Sequence, residues 1–366
     1  MGNKLWEMVE KGKVVTVLLV VQAALAGVIV FYKLAVVEGM SMRVLIAYRF
    51  IFATACVTPL AFVFERESKA KLTRKVVFLG FLSGLFGGAL GPNLFIVSLS
   101  LTSSTYATAM SNLVPIATFI FAVILRMERL GMKTLGGQGK LVGTFLSIGG
   151  AMILTFYKGK EIVVWSTNVD VIKHHSTTKH AAAGDHVLGS LLALGSCLAF
   201  AIWYIIQVKM SEIYPFTYSA SAWFCITASF QATVYTIITE SNWSAWKLGW
   251  NLRLLSVVYT GGIGTGLTVV VMSWCLRLRG PLFVSIFNPL TLVYVAIVGS
   301  LIFNEKLSIG SILGSVIMVI GVYIVVWGKA KEKKTPAQLA APTEPEILDV
   351  VIQDPDRDCD SIKDQC

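Results

Sequence analysis

The stretch "SNLVPIATFIFAVILRMERL", Ser111 to Leu130, carries the argument for the whole chain. It is mostly apolar, yet Asn112 and Pro115 stand near its start and Arg126, Glu128 and Arg129 close it. A proline inside a helix removes a backbone hydrogen bond and crowds the preceding turn. An asparagine in an apolar setting must find a partner. Farther along, "SIFNPLTLVYVAIVGSLIFNEKL", Ser285 to Leu307, has the same plan. Asn288 and Pro289 come early in an apolar run, and Glu305, Lys306 and Leu307 end it as Glu128, Arg129 and Leu130 end the first.

The likeness extends beyond these two runs. "GTFLSIGGAMILTFYKG" (Gly143–Gly159) aligns with "GSVIMVIGVYIVVWGKA" (Gly314–Ala330), pairing Gly143 with Gly314, Gly150 with Gly321 and Lys158 with Lys329. The chain therefore repeats itself internally. Of its 366 residues 55% are hydrophobic and 14% charged, against roughly 25% charged in soluble domains. That composition belongs to a polytopic membrane protein. A spanning helix needs about 20 mostly apolar residues. Ten segments meet this: 14–32, 44–64, 76–99, 106–125, 141–157, 187–208, 216–239, 254–276, 282–303 and 309–327. The polar stretch 158–186 divides them five and five. Five is odd, so the second copy enters the membrane upside down. The expected fold is all-α, with ten transmembrane helices as two inverted five-helix repeats. The expected organisation is an N-terminal segment 1–13, a first repeat 14–157, a polar loop 158–186, a second repeat 187–328 and a disordered acidic tail 329–366.

Charge placement orients the chain. Residues 1–334 carry 29 Lys and Arg against 13 Asp and Glu, while 335–366 carry 2 against 8. The basic excess sits beside the spans, which explains it better than a nucleic-acid partner does. With the N-terminus inside, 19 Lys and Arg fall in inside flanks, Lys140 among them, and 9 in outside flanks. Both termini are expected to be cytoplasmic.

Several motifs carry a family resemblance: "FYKLAVVEGMSMRVLIAYRF" (Phe31–Phe50), the Ser111–Leu130 run, "RGPLFVSIFNPL" (Arg279–Leu290), "NEKLSIGSILG" (Asn304–Gly314) and "YIVVWGK" (Tyr323–Lys329). In this order, over about residues 10 to 330, they resemble the plant nodulin/EamA-like transporters. These are also called the Walls-Are-Thin-related or UMAMIT family, within the drug/metabolite transporter superfamily. The resemblance implies two EamA-type halves and transport of small organic metabolites. Amino acids are the commonest substrates it implies, with auxin in one branch, and the plasma or vacuolar membrane as the location.

Inverted repeats with interrupted helices at matching positions mark transporters, with solute bound near the interruptions. The first-choice substrate region is Asn93 beside Gly91 and Pro92, with Asn112 in the adjoining span and Asn288 as the second-half equivalent. Gln22 in span one, Gln207 in span six and Trp274 at the end of span eight are weaker candidates, and Trp203 and Tyr204 offer ring faces. Pro92, Pro115 and Pro289 are the expected helix breaks or hinges. Lys33 and Arg49 could take a solute carboxylate, or could turn outward and pair with Glu38. Glu128 and Glu305 read as boundary charges where their spans leave the lipid.

Gly80, Gly84 and Gly88 share one helix face, and "GGIGTG" (Gly261–Gly266) crowds span eight. Both favour close helix packing. "NWSAWKLGW" (Asn242–Trp250) reads as a short interfacial helix.

The expected spans contain no Asp, Glu or His, which argues against an intramembrane enzyme and against obligatory proton coupling. All four His (174, 175, 180, 186) lie in the polar loop, which offers no metal geometry. No cofactor is expected. A membrane sensor is the alternative of another class. The partners expected are a small solute and lipid, and a homo-oligomer is compatible with the chain.

Overall fold

The structure, a computed structural model, describes residues 2–65, 73–102, 107, 110–127, 134–157, 161–162, 183–302 and 307–331. Glu128, Glu305, His174, His175, His180 and the tail from 332 onward lie outside the described residues. Among those described, nine helices are long and apolar enough to cross a membrane. They are Lys13–Val37, Met42–Phe64, Arg74–Leu101, Leu135–Phe156, Val187–Ile213, Thr217–Thr239, Leu252–Arg279, Pro281–Ser300 and Ile309–Lys329. Val114–Ile124 is the shorter apolar helix of span four. These ten are spans one to ten in chain order, and the all-α, ten-helix fold stands.

The turns between spans follow local chemistry. Gly280 takes φ 83°, a left-handed conformation that reverses the chain in one step and delivers Pro281 to the first turn of span nine. Span four stops at Arg126, which adopts φ 57°. Its amide bonds the Val123 carbonyl and that of Met127 bonds the Ala122 carbonyl, a helix-terminating pattern that satisfies the last carbonyls. The charged end of the opening stretch is thus a true helix stop. Asn242–Trp250 forms only one 3-10 turn, Trp243–Trp246, not the interfacial helix expected. Trp246 instead packs edge-on against Tyr48, whose hydroxyl donates to the Trp246 carbonyl at 2.7 Å.

Span five is longer than the sequence suggests. It begins at Leu135, so Lys140 lies inside the helix and only 2% exposed, not in a flanking loop. It packs on span ten, backbone to backbone. A methyl on Gly143 would lie 2.7 Å from the Gly321 carbonyl oxygen, and one on Gly150 2.6 Å from the Met318 amide nitrogen. A methyl on Gly328 would meet the Gly136 carbonyl at 2.8 Å. Rising numbers on one helix meet falling numbers on the other, so the two run antiparallel, as an inverted repeat requires. Small faces of this kind let membrane helices approach within dispersion range.

The repeat also governs spans two, three, seven and eight. Spans two and seven are both 23 residues long and begin 175 residues apart, at Met42 and Thr217. Span three turns π-helical over Gly84–Leu90 and span eight over Tyr259–Leu267, again starting 175 apart. Each π stretch packs on the other half's second helix. A methyl on Gly84 would meet the Ala228 amide nitrogen at 2.8 Å, and one on Gly261 the Arg49 carbonyl at 2.8 Å. The expected glycine-face packing is what these glycines provide. The described residues up to 330 form one compact unit.

The π stretch of span three overturns one expectation. Pro92 was expected to break the helix, but Gly91–Leu101 continues it. Proline lacks an amide and crowds the carbonyl four residues back. Widening the preceding turn to π geometry absorbs the mismatch without interrupting the helix.

Candidate functional site

The two Asn/Pro positions do interrupt their helices. Asn112 and Leu113 form a turn before Val114, the first residue of span four's helix, with the Leu113 amide bonded three residues back to Met110 at 3.0 Å. In span nine, residues 286–289 form turns between Pro281–Ser285 and Leu290–Ile302. There the amides of Phe287, Asn288, Leu290 and Thr291 all bond three residues back. Both interruptions are tightened turns and not unwound segments. Pro115 and Pro289 cause them, since neither supplies the amide an α-turn needs.

A polar cluster gathers at the span-nine interruption. Tyr204 of span six donates its hydroxyl to Asn288 Oδ1 at 2.9 Å. One turn on, Thr291 donates to Gln22 Oε1 of span one at 2.6 Å. Trp203 lies beside Tyr204, ring centroids 4.9 Å apart, and against Phe224 at 5.6 Å. Below them Gln207 Nε2 and Ser221 Oγ both reach Ser273 Oγ at 3.5 Å. The first segment of span nine also packs on the Val114–Ile124 helix of span four and on span six.

Three buried side-chain nitrogens of the described residues have no hydrogen-bond partner: Gln22 Nε2 in this cluster, Asn112 Nδ2 at the span-four interruption, and Trp203 Nε1, which lies against Gly87 of span three. Gln22 is fully buried and Asn112 is 5% exposed. A buried polar group left unpaired costs about 1–3 kcal/mol. Such groups persist where a ligand completes them. Rotating a side-chain amide exchanges donor for acceptor. Gln22 and Asn112 can therefore face either charge of a zwitterion, while the Trp203 indole can only donate.

The other expected site residues fall elsewhere. Asn93 is buried, but its amide donates to the Ala89 carbonyl of its own helix at 2.7 Å. The Gly91 carbonyl beside it accepts from Ser196 at 2.8 Å. The groups that Pro92 was expected to free are thus largely taken up internally. Trp274 packs against the main apolar core. Lys33 is half-buried near the end of span one. Arg49 lies seven residues into span two, about 10 Å along the helix, and does not pair with Glu38. Its guanidinium donates to Thr265 in the π stretch of span eight and to the Tyr32 hydroxyl at 2.7 Å. It bridges spans one, two and eight and makes no hydrogen bond to Asn288. Thr291 escaped the sequence reading, although its place one helical turn after Asn288 was a usable signal.

Among the described residues no group of three or more His, Cys, Asp or Glu is placed to hold a metal ion. Two open grooves, one lined by Arg74, Val77, Phe78 and Phe81 and one by Thr54 with residues of span seven, touch none of the cluster residues.

The comparisons agree with this architecture. The pattern of the EamA-like transporter family matches the chain twice, over residues 13–156 and 187–327. Three WAT1-related proteins of Arabidopsis thaliana are similar over most of their length. One is 40% identical over 325 residues, covering 88% of this chain and 91% of the relative. A second is 38% identical with the same coverage, and a third 37% identical over 327 residues, covering 88% and 86%. A protein of known crystal structure, 15% identical, superposes with a TM-score of 0.64 over 88% of this chain and 99% of its own, a likeness of fold alone. Doubled family pattern, ten apolar helices and high similarity to WAT1-related proteins lead to one conclusion: this chain belongs to the EamA-like transporter family, multi-pass membrane proteins that move small molecules and are not enzymes.

Proposed function

We propose that the chain is a bidirectional carrier of amino acids, working by alternating access, with solute held between the interruptions of spans four and nine. The supporting observation is the unpaired buried nitrogen of Gln22, which meets Thr291 one turn after Asn288, together with that of Asn112 at the matching interruption of span four. An amino acid brings a carboxylate for donors and an ammonium for acceptors, and ambivalent amides serve both. The residues to hold it are Asn112, Asn288, Gln22 and Thr291, with Tyr204 orienting Asn288. A second reading, an auxin-like organic anion, is favoured by the indole and phenol rings of Trp203 and Tyr204 at the same turn.

Transport runs down the solute gradient without obligatory proton coupling, and both termini face the cytoplasm of a plasma or vacuolar membrane. Lys140 is a buried titratable side chain in span five that the flank assignment missed. It makes the coupling test necessary. Purified protein in liposomes is offered a panel of labelled amino acids and auxin, with solute and pH gradients set independently. Flux of amino acids above empty liposomes is expected. Flux of auxin alone selects the second reading, and absence of flux for every solute defeats both. Uphill accumulation driven by a pH gradient alone would defeat the uncoupled carrier.

A further inference from the structure

Spans two and seven are antiparallel neighbours of equal length, and each is followed by a glutamate, Glu65 and Glu240. Glu65 reaches the first turn of span seven. It accepts the backbone amides of Tyr218 at 3.0 Å and Ser219 at 2.7 Å, and the Ser219 hydroxyl at 2.6 Å. A carboxylate on a helix N-terminus meets unpaired amides and the positive end of the helix dipole. Phe64 stacks on Tyr218 beside it, ring centroids 5.2 Å apart.

At the opposite end of the same pair, Glu240 accepts the hydroxyl of Ser41 at 2.7 Å. Ser41 is the residue that precedes span two, as Phe216 precedes span seven. Arg43 adds a bond to the Thr239 carbonyl at 3.3 Å, and Thr236 one to the Arg43 carbonyl at 3.2 Å. The repeat-related glutamates thus each reach the start of the other repeat's second helix, Glu65 through two amides and a hydroxyl and Glu240 through one hydroxyl. A helix of 23 residues is about 34 Å long, so they sit at opposite membrane faces.

An inverted repeat exchanges the roles of its halves when access changes sides. Whatever closes one face must have a repeat-related counterpart that closes the other. We propose that Glu65 and Glu240 are the gate residues of transport, positioning residues that each latch span two to span seven at one face. Opening a face requires that its latch release. Both latches are made in this structure. Glu65 and Glu240 are each half-buried, so these bonds are neither sealed in the core nor lost in bulk water. This inference rests on the alternating-access reading.

The test is backbone hydrogen–deuterium exchange on the full chain in lipid nanodiscs. The peptide around Tyr218 and Ser219 reports one latch directly, and that around Ser41 to Leu45 reports the other. Glu65→Gln should speed exchange at the first roughly tenfold, the scale of one lost charge-assisted hydrogen bond. It should also slow exchange at the second, because the population moves to the state whose far latch is closed. Glu240→Gln should do the reverse, and the double variant should bring the ratio of the two ends back toward wild type. Ser219→Ala and Ser41→Ala release the same latches from the other side and should act in the same directions more weakly. They keep the test open if a carboxylate variant fails to fold. A local rise at the mutated end with no change at the far end would reduce each glutamate to a helix cap and overturn the proposal. Liposome flux of labelled glutamine is measured on the same preparations. No flux in the wild type would count against the carrier reading, while the reciprocity between ends still judges the latches.

Discussion

Two of the seams between the repeats are built on opposite principles. Spans five and ten meet through glycine, backbone on backbone, with no room for a methyl at Gly143, Gly150, Gly314 or Gly321. The seam at spans four and nine is polar and imperfect, with tightened turns at Asn112 and Asn288 and the Asn112 side-chain nitrogen lacking a partner. A membrane offers no hydrophobic drive between helices, so close packing must supply stability. The glycine seam does so. The polar seam gives up stability by leaving a group unpaired, as the proposed solute site requires. The contrast predicts that mutations in the first seam damage the fold and mutations in the second damage flux.

The sharpest break would come from Gly150→Leu. Its side chain would be driven into the Met318 and Gly314 backbone, where relief requires the helices to separate. Overpacking of this kind costs about 3 kcal/mol or more. The expected result is loss of a monodisperse peak in detergent, or a fall in melting temperature far beyond that of any polar-seam variant. A well-folded Gly150→Leu protein would remove the seam's claim to rigidity.

Asn112→Ala tests the other side. Its amide nitrogen has no partner, so removal sacrifices no hydrogen bond there. Melting temperature should stay level or rise, by the equivalent of about 1 kcal/mol, while flux falls roughly tenfold or more, as lost charge-assisted contacts to solute would dictate. Normal flux per folded molecule would make Asn112 a packing residue.

Tyr204→Phe should fall between. It leaves Asn288 Oδ1 without its donor and so costs about 1–3 kcal/mol. Flux should drop by a few-fold, since the Asn288 amide is no longer fixed. Thermal unfolding and flux measured on one preparation check it. A loss of flux with unchanged melting would show that the hydroxyl serves the solute directly.

Gly149→Ala should do least. It neighbours Gly150 on the same helix, yet an added methyl meets nothing within 4 Å. Alanine is the better helix former by roughly 1 kcal/mol, so a slight gain in melting temperature with unchanged flux is expected. A loss comparable to that of Gly150→Leu would mean that the seam extends around the helix.

The sequence disclosed the repeat because glycine, asparagine and proline stand out against an apolar background. Gly143 and Gly150 could be aligned with Gly314 and Gly321 by eye, and the structure seats them opposite one another as the inversion demands. The interruptions at Asn112 and Asn288 were legible for the same reason. Pro92 was misread because a proline in a sequence does not say whether the helix breaks or widens. The adjacent glycines that permit the π turn resemble those used for packing. Lys140 was misplaced because one cation near a helix end looks alike on either side of the boundary. Glu65 and Glu240 passed unnoticed because carboxylates at span ends are ordinary. Their meaning lies in the turn each one reaches, 153 and 199 residues away in sequence.

The paired π turns also bind the two halves to a common spacing. A π turn holds more residues per turn than an α-helix. The two stretches start 175 residues apart, and each fits its glycines against the other half's second helix. A one-residue deletion in either stretch would turn those glycines away from the partner helix, so a change of length in one half is felt in the other.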